Sequence, residues 1–193
     1  PPKSGHDRWP EPEQYEWDDI DRAVLESVQK HCFGKLPVGQ WATTRYGALG
    51  RLRFFIKHLL PMFGEHEDAM LKSNWHLAHS LLSPYLNIGL LLPGEVVEAA
   101  QSAFHDGGVP LNSAEGFIRQ IIGWREYIWN CYWQWMPEYA HMNALSADVE
   151  LPPMFTDPAK TSMACMKSVL NGENERAYSH HIERLMVLGN FAL

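Results

Sequence analysis

Two adjacent histidines near the end of the chain are the residues whose types and spacing best suit chemistry. His180 and His181 precede Glu183, Arg184 and an apolar run at residues 185–188. On a helix, Arg184 lies three residues after His181 and four after His180, within reach of both. A histidine holds or releases a proton near neutral pH, so this group suits acid–base catalysis. On spacing alone, an amphipathic core helix with partly exposed histidines is the favoured interpretation.

The ten histidines of the chain raise the question of a metal site. His76 and His79 are three residues apart, but the sequence has no HExxH motif and no zinc-finger spacing of cysteine and histidine. A closed structural zinc site is therefore not expected. Cys32, Cys131 and Cys165 are far apart and form no CxxC motif. Isolated cysteines suit a reducing compartment better than a disulfide framework, so a cytoplasmic location is expected.

Nucleotide-binding motifs of the glycine-rich kind are missing from the sequence. Neither GxGxxG nor GxxxxGK[ST] occurs, so a nucleotide would not be held by a Rossmann or P-loop cradle. Ser83 precedes Pro84, an arrangement that favours the start of a helix. Hydroxyls and free N–H groups at a helix start bind phosphate oxygens well, but taken alone Ser83 is an ordinary helix cap.

The formal net charge of −7 argues against phosphate binding over the whole surface, because nucleic-acid affinity comes largely from lysine and arginine. DNA binding would need a local basic face, although ordinary solvated charge is the favoured interpretation for most of its candidates. These are Arg45, Arg51, Arg53 and Lys57 in one segment and Lys160, Lys167 and Arg176 in another. No apolar run approaches the ~20 residues of a membrane span, so no membrane association is expected.

Helical spacing of apolar residues dominates the chain, and no alternating strand pattern occurs, so the predicted fold class is all-α. Residues 61–82 and 137–159 are predicted to be mostly loop. The longest helix carries apolar groups nearly all round and is predicted to be central and buried on several sides. The predicted helices span residues 18–34, 43–60, 83–89, 93–104, 114–135, 160–170 and 173–193, with Asn171 and Gly172 separating the last two.

The division into domains follows from composition. Residues 1–17 hold four prolines among charged residues, which is typical of a linker rather than a packed element. Residues 18–193 are predicted to form one helical domain. The apolar helical pattern at the C-terminus stops without a capping residue, so the chain is expected to be a fragment of a longer protein.

Several motifs together resemble one protein family. Residues 180–193 read His-His-x-x-Arg-Leu-Met-Val-x-Gly-Asn-Phe-Ala-Leu, which is similar to a signature of the bacterial photolyase-related proteins. This iron–sulfur branch of the photolyase/cryptochrome superfamily repairs (6-4) photoproducts. Residues 66–70, 79–89 and 120–127 resemble further family motifs in the same order, so the resemblance runs from about residue 33 to residue 193. His66 departs from the pattern, because the family has tyrosine there.

The resemblance implies a truncated helical FAD-binding domain of photolyase/cryptochrome type. Residues 1–17 would be the linker from a missing N-terminal antenna domain with its own antenna chromophore, and the C-terminal part of the FAD-binding domain would also be missing. FAD would bind folded in a U, with its diphosphate at the segment 79–89. The implied cofactor-binding residues are His79, Ser80, Leu82, Ser83, Gln120, Trp124, Arg125, Tyr127, Arg184 and Asn190.

The resemblance also implies catalytic and metal-binding roles. His181 would act as an acid toward the lesion, while His180 and Arg184 would orient it or contact flavin and DNA. Cys165, fifteen residues before His180, would be one ligand of a [4Fe-4S] cluster whose other three ligands lie past the end of the chain. Asp157 stands where the family often has a tryptophan that feeds electrons to the flavin. Photoreduction by that route is therefore not expected.

The function implied is light-driven DNA repair. Light would excite fully reduced FAD, which would pass an electron to a (6-4) lesion flipped out of the duplex. Damaged DNA is the expected partner, a monomer is the expected state, and the fragment alone is expected to be inactive. Two alternatives stay open: a blue-light photoreceptor of cryptochrome type that keeps FAD without repair, and a non-enzymatic helical scaffold.

Overall fold

A computed structural model describes residues 9–32, 34–37 and 39–192 of the 193-residue chain. Within these residues the structure is helical and has no β-strand, only an isolated bridge between Leu71 and Asn74, which confirms the predicted all-α class. None of the described helices is long and apolar enough to cross a membrane. The α-helices are α1 (Asp19–Val28), α2 (Arg45–Phe54), α3 (Leu60–His66), α4 (Ser83–Asn87), α5 (Pro93–His105), α6 (Leu111–Trp135), α7 (Ala164–Arg176) and α8 (Asn190–Ala192).

Two π-helical stretches and three 3₁₀ turns complete the described elements. The stretch Phe55–Leu59 joins α2 to α3, and the stretch Glu183–Gly189 leads into α8. The 3₁₀ turns Glu138–His141, Pro153–Phe155 and Pro158–Lys160 lie in the proline-rich region between α6 and α7. This region is irregular, as the sequence predicts for residues 137–159.

Helix α2, the first π-helical stretch and α3 form one continuous rod. Three phenylalanines pack this rod against α6. The ring centroid of Phe117 on α6 lies 4.6 Å from that of Phe55 and 5.7 Å from that of Phe63. All three side chains are buried, and aromatic pairs at these distances add to the free energy gained by burial. Helix α5 packs on the same part of α6 and closes the core.

The rod is longer than the sequence predicts. The predicted helix ends near Leu60, but the helical path continues through Pro61 to His66, so the prediction of loop from residue 61 is wrong for these six residues. Pro61 lies in the first turn of α3, directly after the π-helical stretch, where the regular α-helical hydrogen-bond pattern is already interrupted. Residues 67–82 form irregular structure, as predicted.

Helix α6 is less buried than its sequence indicates. Its buried residues are mainly in the N-terminal half, where α3 and α5 pack against it. The described residues leave the aromatic side chains of its C-terminal half exposed, so the prediction of burial on several sides is wrong within this part of the chain. These side chains are Trp124, Tyr127, Trp129, Tyr132, Trp133 and Trp135.

The break before the C-terminal helical segment also lies elsewhere than predicted. Helix α7 begins at Ala164, not Lys160, and runs through Asn171 and Gly172 to Arg176. A Cβ on Gly172 would lie 2.5 Å from Nη2 of Arg176, so glycine here makes room for the arginine and does not end the helix. The chain leaves α7 at Ala177, which has a φ of 52°, and residues 178–180 are non-helical. His180 therefore precedes the helical segment, and Leu193 lies outside the described residues.

The described part of the predicted linker is packed against the core. Trp9 is buried and its ring meets that of His66 edge to face at 5.3 Å. The backbone N–H of Tyr15 donates to the Gly39 carbonyl at 2.7 Å. Buried Arg51 donates to the Glu13 carbonyl at 2.9 Å. This proline-rich segment is extended and forms no helix, but one buried tryptophan and two hydrogen bonds of its backbone anchor it to the core. Residues 1–8 lie outside the described residues.

Gly64 provides a test of the packing between α3 and α6. A Cβ at this position would lie 2.8 Å from backbone atoms of Asn112 and Ser113. Gly64→Ala should therefore reduce the free energy of unfolding by about 1–3 kcal/mol, measured by urea denaturation. Gly94→Ala is the matched control, because a Cβ on Gly94 meets no atom within 4 Å. Equal unfolding midpoints for the two variants would contradict this helix contact.

Candidate functional site

A concave pocket of about 380 Å³ lies between α4, one face of α6 and the segment that leads into the C-terminal helical region. This volume is within the range of roughly 300–1,000 Å³ typical of small-molecule sites. Nine of the residues singled out from the sequence line it together. They are His79, Ser80, Leu82, Ser83, Gln120, Trp124, Arg125, His181 and Arg184.

Four of the predicted site residues do not line this pocket. His180 lies buried behind the pocket wall, whereas Tyr127 is exposed and meets the edge of the Trp124 ring at 6.1 Å. Asn190 is exposed on α8, and Cys165 is exposed in the first turn of α7. Their roles stay predictions.

The iron–sulfur cluster is not completed by the described residues. All three cysteines are free thiols, and among the described residues no group of three histidine, cysteine or acidic side chains is placed to hold a metal. A [4Fe-4S] cluster takes four protein ligands. Cys165 alone does not form such a site.

Helix α6 supplies one wall of the pocket through a single face. Phe117, Gln120, Ile121, Trp124 and Arg125 follow the i, i+3, i+4 spacing of that face and all line the pocket. The indole N–H of Trp124 donates to Oε1 of Gln120 at 3.0 Å, and Nη1 of Arg125 donates to the Ile121 carbonyl at 3.2 Å. The sequence interpretation did not assign Phe117 and Ile121 to the site, although helical spacing from Gln120 and Trp124 would have found them.

The second wall comes from the irregular loop 67–82. Oδ1 of Asn74 accepts hydrogen bonds from the backbone N–H groups of Leu77 at 2.6 Å and His76 at 3.1 Å. Leu77 and Leu81 adopt left-handed backbone conformations, with φ of 48° and 57°. Such conformations are uncommon outside glycine and concentrate at functional sites. The loop thereby turns His79 and Ser80 toward the pocket.

Three histidines form a compact cluster at the pocket. The rings of His79 and His180 stack with centroids 4.2 Å apart and planes 7° from parallel. The ring of His181 meets His79 edge to face at 5.3 Å. His79 and His180 are buried, whereas His181 is partly exposed on the pocket wall. The double-histidine motif thus divides into one buried ring and one ring that reaches the pocket.

Burial sets the protonation of this cluster. It lowers the pKa of His79 to about 4 and that of His180 to about 3, with nearby histidines adding to the effect. Burial also lowers the pKa of His181, but Asp68 opposes this change, because its Oδ1 lies 3.7 Å from Nε2 of His181. His79 and His180 are therefore neutral at pH 7. Asp68 was missed as a site residue, since loop residues carry no periodic signal.

Tyr178 contributes an apolar corner to the pocket. Its ring centroid lies 5.6 Å from those of both Trp41 and Trp75. Burial raises the pKa of its phenol, which therefore keeps its proton at neutral pH. The aromatic contacts fix the chain between α7 and the histidine pair.

The side chains that line the pocket fit a flavin nucleotide in chemical character. The guanidinium groups of Arg125 and Arg184 and the hydroxyls of Ser80 and Ser83 suit phosphate oxygens. Aromatic side chains of the wall suit a flat ring. Nε2 of His181 is buried without a hydrogen-bond partner among the described residues, and such an atom costs about 1–3 kcal/mol unless a ligand or water satisfies it.

The buried histidines predict a loss of stability in acid. Their folded pKa values of about 4 and 3 lie below the ~6.5 of an unfolded histidine. Because the unfolded chain binds more protons in this range, the free energy of unfolding should fall as pH decreases from about 6.5 toward 3. Urea denaturation at a series of pH values measures this slope. His180→Phe should flatten it and the exposed-site control His105→Asn should not; an unchanged slope in His180→Phe would contradict the effect of burial.

Comparisons with known proteins find relatives of the chain. The chain is 48% identical over 179 residues to a (6-4) photolyase of Agrobacterium fabrum, an alignment that covers 91% of the chain and 35% of that relative. It is also 38% identical over 63 residues to an uncharacterised protein of Acanthamoeba polyphaga mimivirus, covering 32% of the chain and 48% of the viral protein. No family model matches the chain. The chain spans about a third of the length of the bacterial relative and belongs to the photolyase/cryptochrome superfamily.

Proposed function

We propose that this chain is part of an FAD-dependent photolyase that repairs (6-4) photoproducts in DNA by light-driven electron transfer. The observation that carries the proposal is the convergence of nine predicted residues on one pocket, from three separate parts of the chain. The similarity to a (6-4) photolyase supports the same reaction. The proposal concerns the whole protein, because the chain spans only part of that relative.

The pocket residues would hold FAD through charge and stacking. Arg125 and Arg184 would pair with the phosphates, while Ser80 and Ser83 would donate hydrogen bonds to the same oxygens. Trp124 would form part of the wall between the flavin and the lesion. When bound, FAD supplies light absorption and the transferred electron.

His181 would supply a proton to the lesion. Its ring lines the pocket, and although burial lowers its pKa, Asp68 next to Nε2 opposes this change and favours the protonated form. His180, which is neutral at pH 7, adds no positive charge to oppose that proton. A general acid needs both access to the substrate and a proton at working pH, and His181 is the member of the cluster that reaches the pocket.

DNA contact would depend on a small set of cations. Arg45 pairs with Glu95 at 2.6 Å, and Arg51 is buried, so neither is available to phosphates. Arg53 and Lys57 stay exposed. They would supply local positive charge, which a chain of net charge −7 needs for DNA binding.

A light receptor of cryptochrome type is the second candidate, and one position favours it. Asp157 occupies the position at which the related proteins often have an electron-supplying tryptophan, and here its Oδ1 accepts from the Ala159 N–H at 3.1 Å. This carboxylate serves as the cap of a 3₁₀ turn. An aspartate cannot donate an electron to flavin. A receptor of this type would therefore bind FAD but would not repair DNA.

Replacement of His181 tests the repair proposal in the full-length protein that contains this chain. His181→Ala should reduce the rate of (6-4) photoproduct repair by roughly 10²–10⁴-fold, the range typical of a lost acid or base. Bound FAD, measured by absorption, should stay at the wild-type level. His105→Ala is the control, since this exposed residue lies outside the pocket. Full repair by His181→Ala would refute its role as acid, and a wild-type protein that holds FAD but repairs nothing would favour the receptor.

Replacement of the pocket arginines tests the flavin site. Arg125→Gln and Arg184→Gln should each weaken FAD binding by about 10–100-fold, because each removes a hydrogen bond to a charged group worth roughly 1.5–3 kcal/mol. Fluorescence titration of the apoprotein with FAD measures the change. Arg119→Gln is the matched control on α6, because Arg119 pairs with Glu115 outside this pocket. Equal affinities for all three variants would place FAD elsewhere.

A further inference from the structure

The imidazole of His79 is placed between two hydrogen-bond acceptors. Its Nδ1 lies 3.0 Å from the carbonyl oxygen of His76, and its Nε2 lies 3.1 Å from the carbonyl oxygen of Glu67. A neutral imidazole carries one N–H and can satisfy only one of these oxygens, whereas an imidazolium donates to both. The hydrogen-bond geometry therefore suits the charged form of His79.

The surroundings of the ring oppose that charge. His79 is buried, and burial together with the neighbouring His181 and His76 lowers its pKa to about 4. In the neutral form, one ring nitrogen presents its lone pair to a carbonyl lone pair, which is an unfavourable contact. The two carbonyl partners of His79 therefore favour its charged form, whereas its burial favours the neutral form.

The protonation of His79 depends on the groups that face it from each element packed against it. The C-terminal segment contributes His180, stacked at 4.2 Å, and His181. Helix α3 contributes Phe63, edge to face at 6.3 Å. Asp68 lies beyond His181, whose Nε2 it approaches to 3.7 Å. His180, whose pKa is lowered to about 3, is neutral at pH 7 and adds no like charge to a protonated His79.

Cations also face the pocket on which His79 lies. Arg125 on α6 and Arg184 in the C-terminal segment line the same cavity as His79. An anion bound beside them would add negative charge near His79 and favour its protonated form. One negative charge at about 6 Å, in a site of effective dielectric constant ~20, raises a pKa by roughly 2. Each negative charge of a bound diphosphate would therefore raise the pKa of His79 from about 4 toward the physiological range.

We propose that His79 takes up one proton when a phosphate-bearing nucleotide occupies the pocket, and that the imidazolium then donates to both the His76 and the Glu67 carbonyl. The double hydrogen bond ties the start of loop 67–82 to its end beside the ligand. This inference rests on the proposed function for the identity of the nucleotide, FAD. It adds that binding of FAD and of a proton are linked, so affinity for FAD should fall as pH rises above neutral.

Calorimetry of the full-length apoprotein with FAD tests the link directly. Titrations at pH 7 in two buffers with different heats of ionisation give the number of protons taken up on binding. The wild type should take up close to one proton and His79→Gln close to none. His105→Gln is the matched control, an exposed histidine whose loss should leave the uptake unchanged.

Nitrogen-15 NMR of labelled histidines identifies the protonated residue in the wild type, so the test stands even where His79→Gln folds poorly. Both ring nitrogens of His79 should show N–H signals after FAD is added and only one before. Binding without proton uptake, or a proton that appears on His181 instead, would overturn this inference and leave the flavin site intact. Failure of the wild type to bind FAD at all would overturn both this inference and the proposed function.

Discussion

The contact between the phenylalanines of the rod and α6 is the interaction on which the rest of the structure depends. Phe63 and Phe117 belong both to the hydrophobic core and to the back wall of the pocket. Because close-packed cores resist displacement, the helix face that carries Gln120, Trp124 and Arg125 is held at a fixed distance from loop 67–82. A site built from one helix face and one irregular loop needs such a rigid back wall to keep its geometry.

The sequence predicts those parts of the molecule that local physics determines. Helix α5 begins at Pro93 and ends before paired glycines, and the nine pocket residues are predicted from the resemblance of their motifs to those of one family. Long-range contacts decide the remainder. Arg176 needs the space that Gly172 leaves, so α7 continues where a break is predicted. Trp9 is anchored by the ring of His66, 57 residues away, and Asp68 meets His181 across the fold. No local pattern encodes these partners.

The double-histidine motif shows why spacing alone could not assign roles. A regular helix through residues 173–193 would have put Arg184 beside both histidines as equivalent partners. The turn at Ala177 ends α7 early, so His180 enters the core on top of His79 while His181 faces the pocket. Adjacent residues of one type thereby acquire different environments, and the difference in burial separates a structural ring from one that can exchange protons with a ligand.

The tryptophans lie in different environments and should therefore differ in fluorescence wavelength. Trp9 is 5% exposed and packs against His66, whereas Trp124, Trp129 and Trp133 on α6 are more than half exposed. An indole in the apolar interior emits at shorter wavelength than one surrounded by water. Trp9 therefore contributes to the blue edge of the emission band, together with the half-buried Trp41 and Trp75, and the exposed tryptophans of α6 contribute to its red edge.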